Sequence, residues 1–532
     1  MRTQIMKVWA YGLAILVSGH VAANVNVNNG NYYVANTDFY LPTAGLNFEI
    51  ARTYNSRSSY VNGYFGIGWA SEIEGHIKVE ANKIDYFEGG GGNIVSFQKQ
   101  KDGSWANSLY GLQTIKLQPK TGKYVLKSAV GKIFSFNKQG KMTSIRDVNG
   151  NVINIQYENG LVSSLQDNFN NQVRVSWKTI NNIPRITRVE RDELKAVYSY
   201  DKLGNLTKVV DAEAVPYQYE YDDEHNMTKI TYSNGEYKAM SYNKSRDWVT
   251  KYRDRSGIVT EYDYFSDSLE PENKFGTVVA RYAEGSRDRQ YSKFWYEFRK
   301  RADGSRYNYR SVTSVGGVVT ETLFTECCGT PLVISQWRDD KQQKATKKLD
   351  WTIAKSDKTT TSFAYYSDGL LKQKTSPDGT VTALTYDQKH KKVSSVKKGD
   401  RSIAYKYDRK GNLVTAIDAN AGRTLNMKYD LQGRITVVNE SIKLGKVAQA
   451  KQVFFRYDGN GRPIEIKEKS KLGEGTIQMQ YGANGEVVSV LNKQGRAIAS
   501  ERDMATARGV FMTFQNLLEI VQPAGVTLGP EG

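Results

Sequence analysis

The sequence predicts an all-β protein assembled from tandem hairpins, and three observations carry that prediction. The heptapeptide Tyr200-Asp201-Lys202-Leu203-Gly204-Asn205-Leu206 returns as Tyr407-Asp408-Arg409-Lys410-Gly411-Asn412-Leu413, as Tyr429-Asp430-Leu431-Gln432-Gly433-Arg434-Ile435, and as Tyr457-Asp458-Gly459-Asn460-Gly461-Arg462-Pro463. Weaker copies begin at Phe136, Tyr157, Tyr221-Asp222, Tyr386-Asp387 and Tyr481, and consecutive copies such as Tyr200 and Tyr221 stand 21 residues apart. A fixed internal period is the signature of a repeat architecture. Thirty-five tyrosines against eighteen phenylalanines complete the pattern. Such a ring suits a half-buried pleated surface, where its hydroxyl is expected to stay wet.

The first 23 residues read as a leader. Arg2 and Lys7 precede the apolar run Val8 to Gly19, and Val21, Ala22 and Ala23 supply small residues at cleavage spacing. The run is far shorter than the ~20 residues that span a bilayer, so cleavage after Ala23 is expected, with no transmembrane anchor left behind. That makes the chain an exported one, placed in the periplasm, at the cell surface or outside the cell.

Residues 24–130 read as an irregular β domain, with turn signals such as Gly89 to Gly92. Residues 131–243 form a first repeat block. Residues 244–360 are diverged but still β-like, with a hairpin expected from Phe294-Trp295-Tyr296 through Asp303-Gly304 to Tyr307-Asn308-Tyr309. This stretch holds the chain's two cysteines, Cys327 and Cys328. Adjacent Cα atoms lie about 3.8 Å apart, closer than the usual disulfide range, so a bond between them would be strained. Buried thiols, a redox-labile ring and intermolecular bridges stay open for this pair. Residues 361–495 are the second repeat block. In the tail, 496–532, the residues Val510, Phe511, Phe514, Leu517, Leu518 and Val521 recur at helical spacing before Pro523, which predicts a short helix that caps the last repeat or docks a second protein.

Each copy explains itself as a hairpin. Ile403, Tyr405 and Tyr407 alternate with Ser402, Ala404 and Lys406, the period of a strand. Asp408 then opens a turn in which its carboxylate can accept backbone N–H groups, and Gly411 falls where a left-handed residue is needed. Leu413, Thr415 and Ile417 are expected to point one way on the returning strand. In the copies at Tyr221 and Tyr386 the glycine slot holds His225 and His390. Histidine is among the residues enriched at positive φ, so both are assigned to turns. With His20 in the leader, only His76 is left without a role.

A Tyr-Asp-x-x-Gly-[Asn/Arg]-[Leu/Ile] motif at this spacing resembles the YD repeat of Rhs and teneurin-like proteins. Asn29-Gly30-Asn31-Tyr32-Tyr33, Thr37-Asp38-Phe39-Tyr40-Leu41-Pro42, Ala51-Arg52-Thr53-Tyr54-Asn55 and Phe65-Gly66-Ile67-Gly68-Trp69 resemble the segment that precedes Rhs repeats. The resemblance implies long strands wound as a spiralling β-sheet, a shell and not a compact core. Larger Rhs proteins carry an Asp-Pro-x-Gly-Leu element linked to self-cleavage and then a variable toxin. This chain has no Asp-Pro dipeptide, and after Leu491 only about 40 residues follow, too few for an ordinary toxin domain. A shell-type protein without its own cargo is therefore expected.

Chemistry is sparse. Gly89 to Gly92 lacks the helix that a phosphate loop opens. Asp147-Val148-Asn149-Gly150-Asn151 lacks the later acid of a calcium loop and reads as a repeat turn. A serine-histidine-aspartate arrangement would have to use His76. Paired carboxylates for glycoside hydrolysis stay possible among 56 acidic residues, but no pair stands out. No catalytic residue, metal or cofactor is assigned. The formal charge of +18 suits acidic partners, yet its densest runs, Lys347-Lys348 and Lys397-Lys398, are short, so no specific nucleic-acid partner is expected. The leading expectation is an exported, non-enzymatic structural or interaction protein. Its exposed Tyr, Lys and Arg would contact a cell-surface glycan or another envelope component. The alternatives are a partial shell that docks a separately encoded protein through the C-terminal helix, and an envelope polysaccharide hydrolase.

Overall fold

The computed structural model describes residues 25–496, apart from 59–60, 90–93, 108–112, 129–130, 303, 327–328, 348–357, 446, 472 and 483–486. The expected leader, the Cys327-Cys328 pair and the expected helix at Val510 to Val521 lie outside the described residues. No described helix is long and apolar enough to cross a membrane.

The fold is nearly all β. Among the described residues one antiparallel sheet of 36 strands runs from His76–Val79 to Val487–Asn492, each strand paired with the next in sequence. The expected borders at 130, 243 and 360 fall within this one ladder. Near its start the sheet curls back on itself. The Ile77 N–H donates to Gly140 O at 2.9 Å, and His76 bridges Lys141. A second, four-stranded sheet is formed by Val25–Asn26, Asn31–Leu41, Phe48–Asn55 and Trp69–Ser71.

The hairpins do not keep a single alternation. Tyr407 pairs with Leu413, but Lys406 pairs with Thr415, so Val414 is an extra residue on the returning strand. A bulge of this kind shifts every later side chain to the other face. The expectation that Leu413, Thr415 and Ile417 share a face is therefore corrected: beyond the bulge, Ala416 and Asp418 are the buried residues, at 0% and 1% exposure. The same bulge follows Tyr200, Tyr221, Tyr386, Tyr429, Tyr457 and Tyr481.

Burial falls into separate clusters. The largest joins the four-stranded sheet to the repeat sheet as far as Val279. A second lies wholly in the second repeat block, from Leu384 to Ile477. Between them sits a small cluster of Val312, Val319 and Trp337.

Candidate functional site: the repeat turn and the covered inner face

The turn is built around one carboxylate. Asp201 Oδ1 accepts the N–H groups of Leu203 (3.0 Å) and Asn205 (2.9 Å), while Oδ2 accepts Asn205 Nδ2 at 2.9 Å. Asp408 repeats this with Lys410 and Asn412. In the copies at Asp430 and Asp458 the last bond comes from Arg434 Nε and Arg462 Nε, each at 2.6 Å. Gly204, Gly411, Gly433 and Gly461 all take positive φ, between 78° and 94°. Burial opposes ionisation of Asp408, but the N–H groups of Asn412, Lys410 and Gly411 outweigh it and hold the carboxyl below its usual range.

The two histidine copies differ. In the turn after Asp222, His225 has φ 66° and fills the glycine slot, while its Nδ1 lies 2.8 Å from Asn205 Oδ1. In the turn after Asp387 the left-handed residue is Lys391, with φ 53°, so the assignment of His390 is corrected. This turn is one residue longer. Asp387 N–H reaches Lys392 O, five residues on, where Asp222 N–H reaches Asn226 O, four on. His390 instead gives its N–H to Asp387 Oδ1 at 2.7 Å.

The repeat tyrosines have a role that their spacing did not disclose. Tyr221 Oη donates to Leu206 O, Tyr386 to Leu371 O, Tyr407 to Val393 O, Tyr429 to Leu413 O, Tyr457 to Ile435 O and Tyr481 to Pro463 O, at 2.6–2.9 Å. Each acceptor is the residue that opens the return strand of the preceding hairpin. Tyr200 bonds Ile186 O in the same way, and Trp177 Nε1 bonds Val162 O. The expected wet hydroxyls are thus corrected to staples between hairpins. Burial pushes Tyr386, Tyr407, Tyr429, Tyr457 and Tyr481 up to about 12.

On one face of residues 185–280 the four-stranded sheet lies directly against the repeat sheet. Arg52 is fully buried and pairs with Asp38 at 2.6 Å, donates to Tyr219 Oη at 2.7 Å and lies 4.0 Å from the Trp69 ring. Trp69 Nε1 donates to Tyr221 Oη at 2.9 Å, and Tyr54 Oη accepts from Met227 N at 2.9 Å and donates to His225 O. Main-chain bonds complete the seat: Ala212 N–H to Asp38 O, Ile186 N–H to Tyr64 O and Val249 N–H to Gly30 O. Arg185 donates to Gly63 O and Asn62 Oδ1. Beside it, desolvation pushes the Glu74 carboxyl up to about 8, against the pull of the Tyr64 N–H and of Arg185.

Arg52, Asp38, Arg185 and Glu74 were not singled out by sequence. One signal was available: Phe48, Ile50, Arg52 and Tyr54 alternate along a strand, which places a charge among three inward apolar side chains. His76 is exposed, stacks on Phe87 at 4.5 Å and places Nδ1 3.0 Å from Glu74 O. The Asp147 turn has the same form as the other repeat turns, with Oδ1 accepting from Asn149 and Asn151. No group of three or more metal-ligating side chains is assembled among the described residues.

Residues 185–237, which hold the stapled turns at Asp201 and Asp222, match the RHS repeat. The chain carries the RHS repeat. Residues 22–97 match a domain of unknown function, DUF6531, which spans the four-stranded sheet. No curated protein matches the sequence. Among solved structures, the crystal structure of TcdB2-TccC3 without its hypervariable C-terminal region is 10% identical, at a TM-score of 0.45, over 87% of this chain and 28% of that one. A Photorhabdus luminescens Tc holotoxin pore is 11% identical, at a TM-score of 0.35, over 87% of this chain and 27% of that one. The chain spans less than a third of the length of either.

Proposed function

We propose that this protein is an exported, non-enzymatic wall segment whose inner face holds polypeptide, as a partial shell does. One observation carries the reading: one face of 185–280 already holds a folded polypeptide, the chain's own N-terminal sheet. It does so through tyrosine hydroxyls and main-chain groups. The second block has an apolar cluster of its own, in which Tyr405, Met427, Val438, Phe455 and Ile466 are buried. The export part of the reading rests on the leader pattern of residues 1–23. The proposal that this chain acts with a separately encoded protein is drawn from its own covered face.

A glycan contact through half-buried aromatic rings competes with charges that are already there. Arg255 lies 4.2 Å from the Tyr232 ring, Arg253 4.1 Å from Tyr237 and Arg299 3.3 Å from Tyr309. A guanidinium on a ring face occupies the place where a sugar would stack.

The test is cross-linking mass spectrometry of the full chain with proteins of the source cell envelope. Cross-links that radiate from residues 384–479 to one polypeptide are the expected result. Partners captured only through Tyr232, Tyr237 and Tyr309, binding to glycans without protein, or reproducible turnover of peptidoglycan would each overturn the proposal.

A further inference from the structure

We infer that the wall opens at a seam of stacked turns between its two repeat blocks, and not by unpairing of strands. The inference is independent of what the wall encloses. The turns of the second block come back onto the first block and the N-terminal segment, over sequence separations of 261 residues and more. Asn412 Nδ2 donates to Asn149 Oδ1 at 3.1 Å, Asn151 Nδ2 to Gln432 O at 2.7 Å, and Lys410 Nζ to Asn149 O at 3.5 Å. Gly433 packs so closely on Asn149 that a Cβ there would overlap its amide, and Gly461 packs in the same way on Thr43 O.

The contacts just named are all to polar or backbone atoms. The large cluster that includes the N-terminal sheet and the second-block cluster do not merge among the described residues. The seam bonds exchange for bonds to water when the blocks part, so their net contribution is small. Strand separation would break continuous ladders, such as Tyr429–Arg423 against Ile435–Ile442, and expose an apolar face as well. Parting at the turns leaves both the ladders and the cores intact. It is the opening motion with the least to lose, and local openings follow such boundaries.

The test is a wedge with a rescue, read by spin labels on the full chain. Labels go on Val148→Cys and Leu431→Cys, whose side chains are exposed on the two sides of the seam (38% and 79%), with Cys327→Ser and Cys328→Ser in the background. Gly433→Asn keeps a residue that tolerates positive φ but drives its Cβ into Asn149. Gly379→Asn, at φ 80° with nothing within 4 Å, controls for backbone strain. The expected result is a new population of longer label separations for G433N, its disappearance in N149G/G433N, and none in G379N. Hydrogen exchange of 423–429 and 451–457 should stay unchanged throughout. Three results would each overturn the inference: G433N with the parent's distance distribution, no rescue by N149G, or long distances that appear only with loss of ladder protection.

Discussion

At the scale of single residues, the work is done by groups that satisfy main-chain atoms. The Tyr429 hydroxyl is typical: it crosses from one hairpin to the Leu413 carbonyl of the one before. Tyr429→Phe removes that donor and leaves the ring in place. The expected loss is about 1–2 kcal/mol, because a buried carbonyl that loses a partner costs more than the bond's net worth. Urea midpoints check this, with Tyr33→Phe as the control, since Tyr33 is 49% exposed. Glu74 gives a pH effect with a definite sign. Its folded carboxyl sits at about 8, above its ordinary value of 4.5, so the folded state holds the proton more tightly. Its contribution is complete below 4.5 and is lost as pH rises through 8. Thermal unfolding followed from pH 5 to pH 9 should therefore fall more steeply for the parent than for Glu74→Gln.

At the scale of the hairpin, the turn fixes the register and the bulge chooses the face. Most of this was legible. Asp at the turn's start and Gly three residues on are local chemistry, and Asp201, Asp408, Asp430 and Asp458 all bind the backbone N–H groups that their position implied. Two features were not legible, for physical reasons. An extra residue in the Asp387 turn moves the left-handed position from His390 to Lys391, and nothing in a tyrosine-aspartate spacing reports loop length. The bulge at Val414 places no distinctive side chain, since a bulge is a property of the ladder. Glycine positions can be graded at this scale. Gly204 and Gly235 both have positive φ, 94° and 81°. A Cβ at Gly204 also meets Arg185 Nη2 at 2.9 Å, whereas Gly235 has open space. Gly204→Ala should therefore lower the melting temperature clearly more than Gly235→Ala, for which only the backbone strain of about 1–2 kcal/mol applies.

At the scale of the whole molecule, a buried ion pair inside the four-stranded sheet holds Arg52 where it donates across to Tyr219 Oη of the repeat sheet. Arg52→Met strands Asp38, which is 1% exposed, away from any counter-charge. Breaking a buried pair on one side destabilises by about 3–5 kcal/mol. The loss should appear in calorimetry as an earlier transition of the N-terminal sheet and the first block, with the second block's transition unmoved. Unfolding in a single transition in both proteins would contradict the separation of the two cores.

The sequence by itself determined the hairpin, its period, its turn chemistry and the all-β class. The turn chemistry is set within about seven residues, where side chain and main chain meet without help from the rest of the fold, and its return along the chain gives the rest. The tertiary structure alone decided where the tyrosine hydroxyls go, which face the N-terminal sheet covers, and how the second block's turns come to rest on Asn149. Those depend on contacts between residues far apart in sequence, as Asn151 and Gln432 are at 281 positions. A local pattern carries no record of such distances, because winding accumulates strand by strand through twist and bulges before any of those contacts can form.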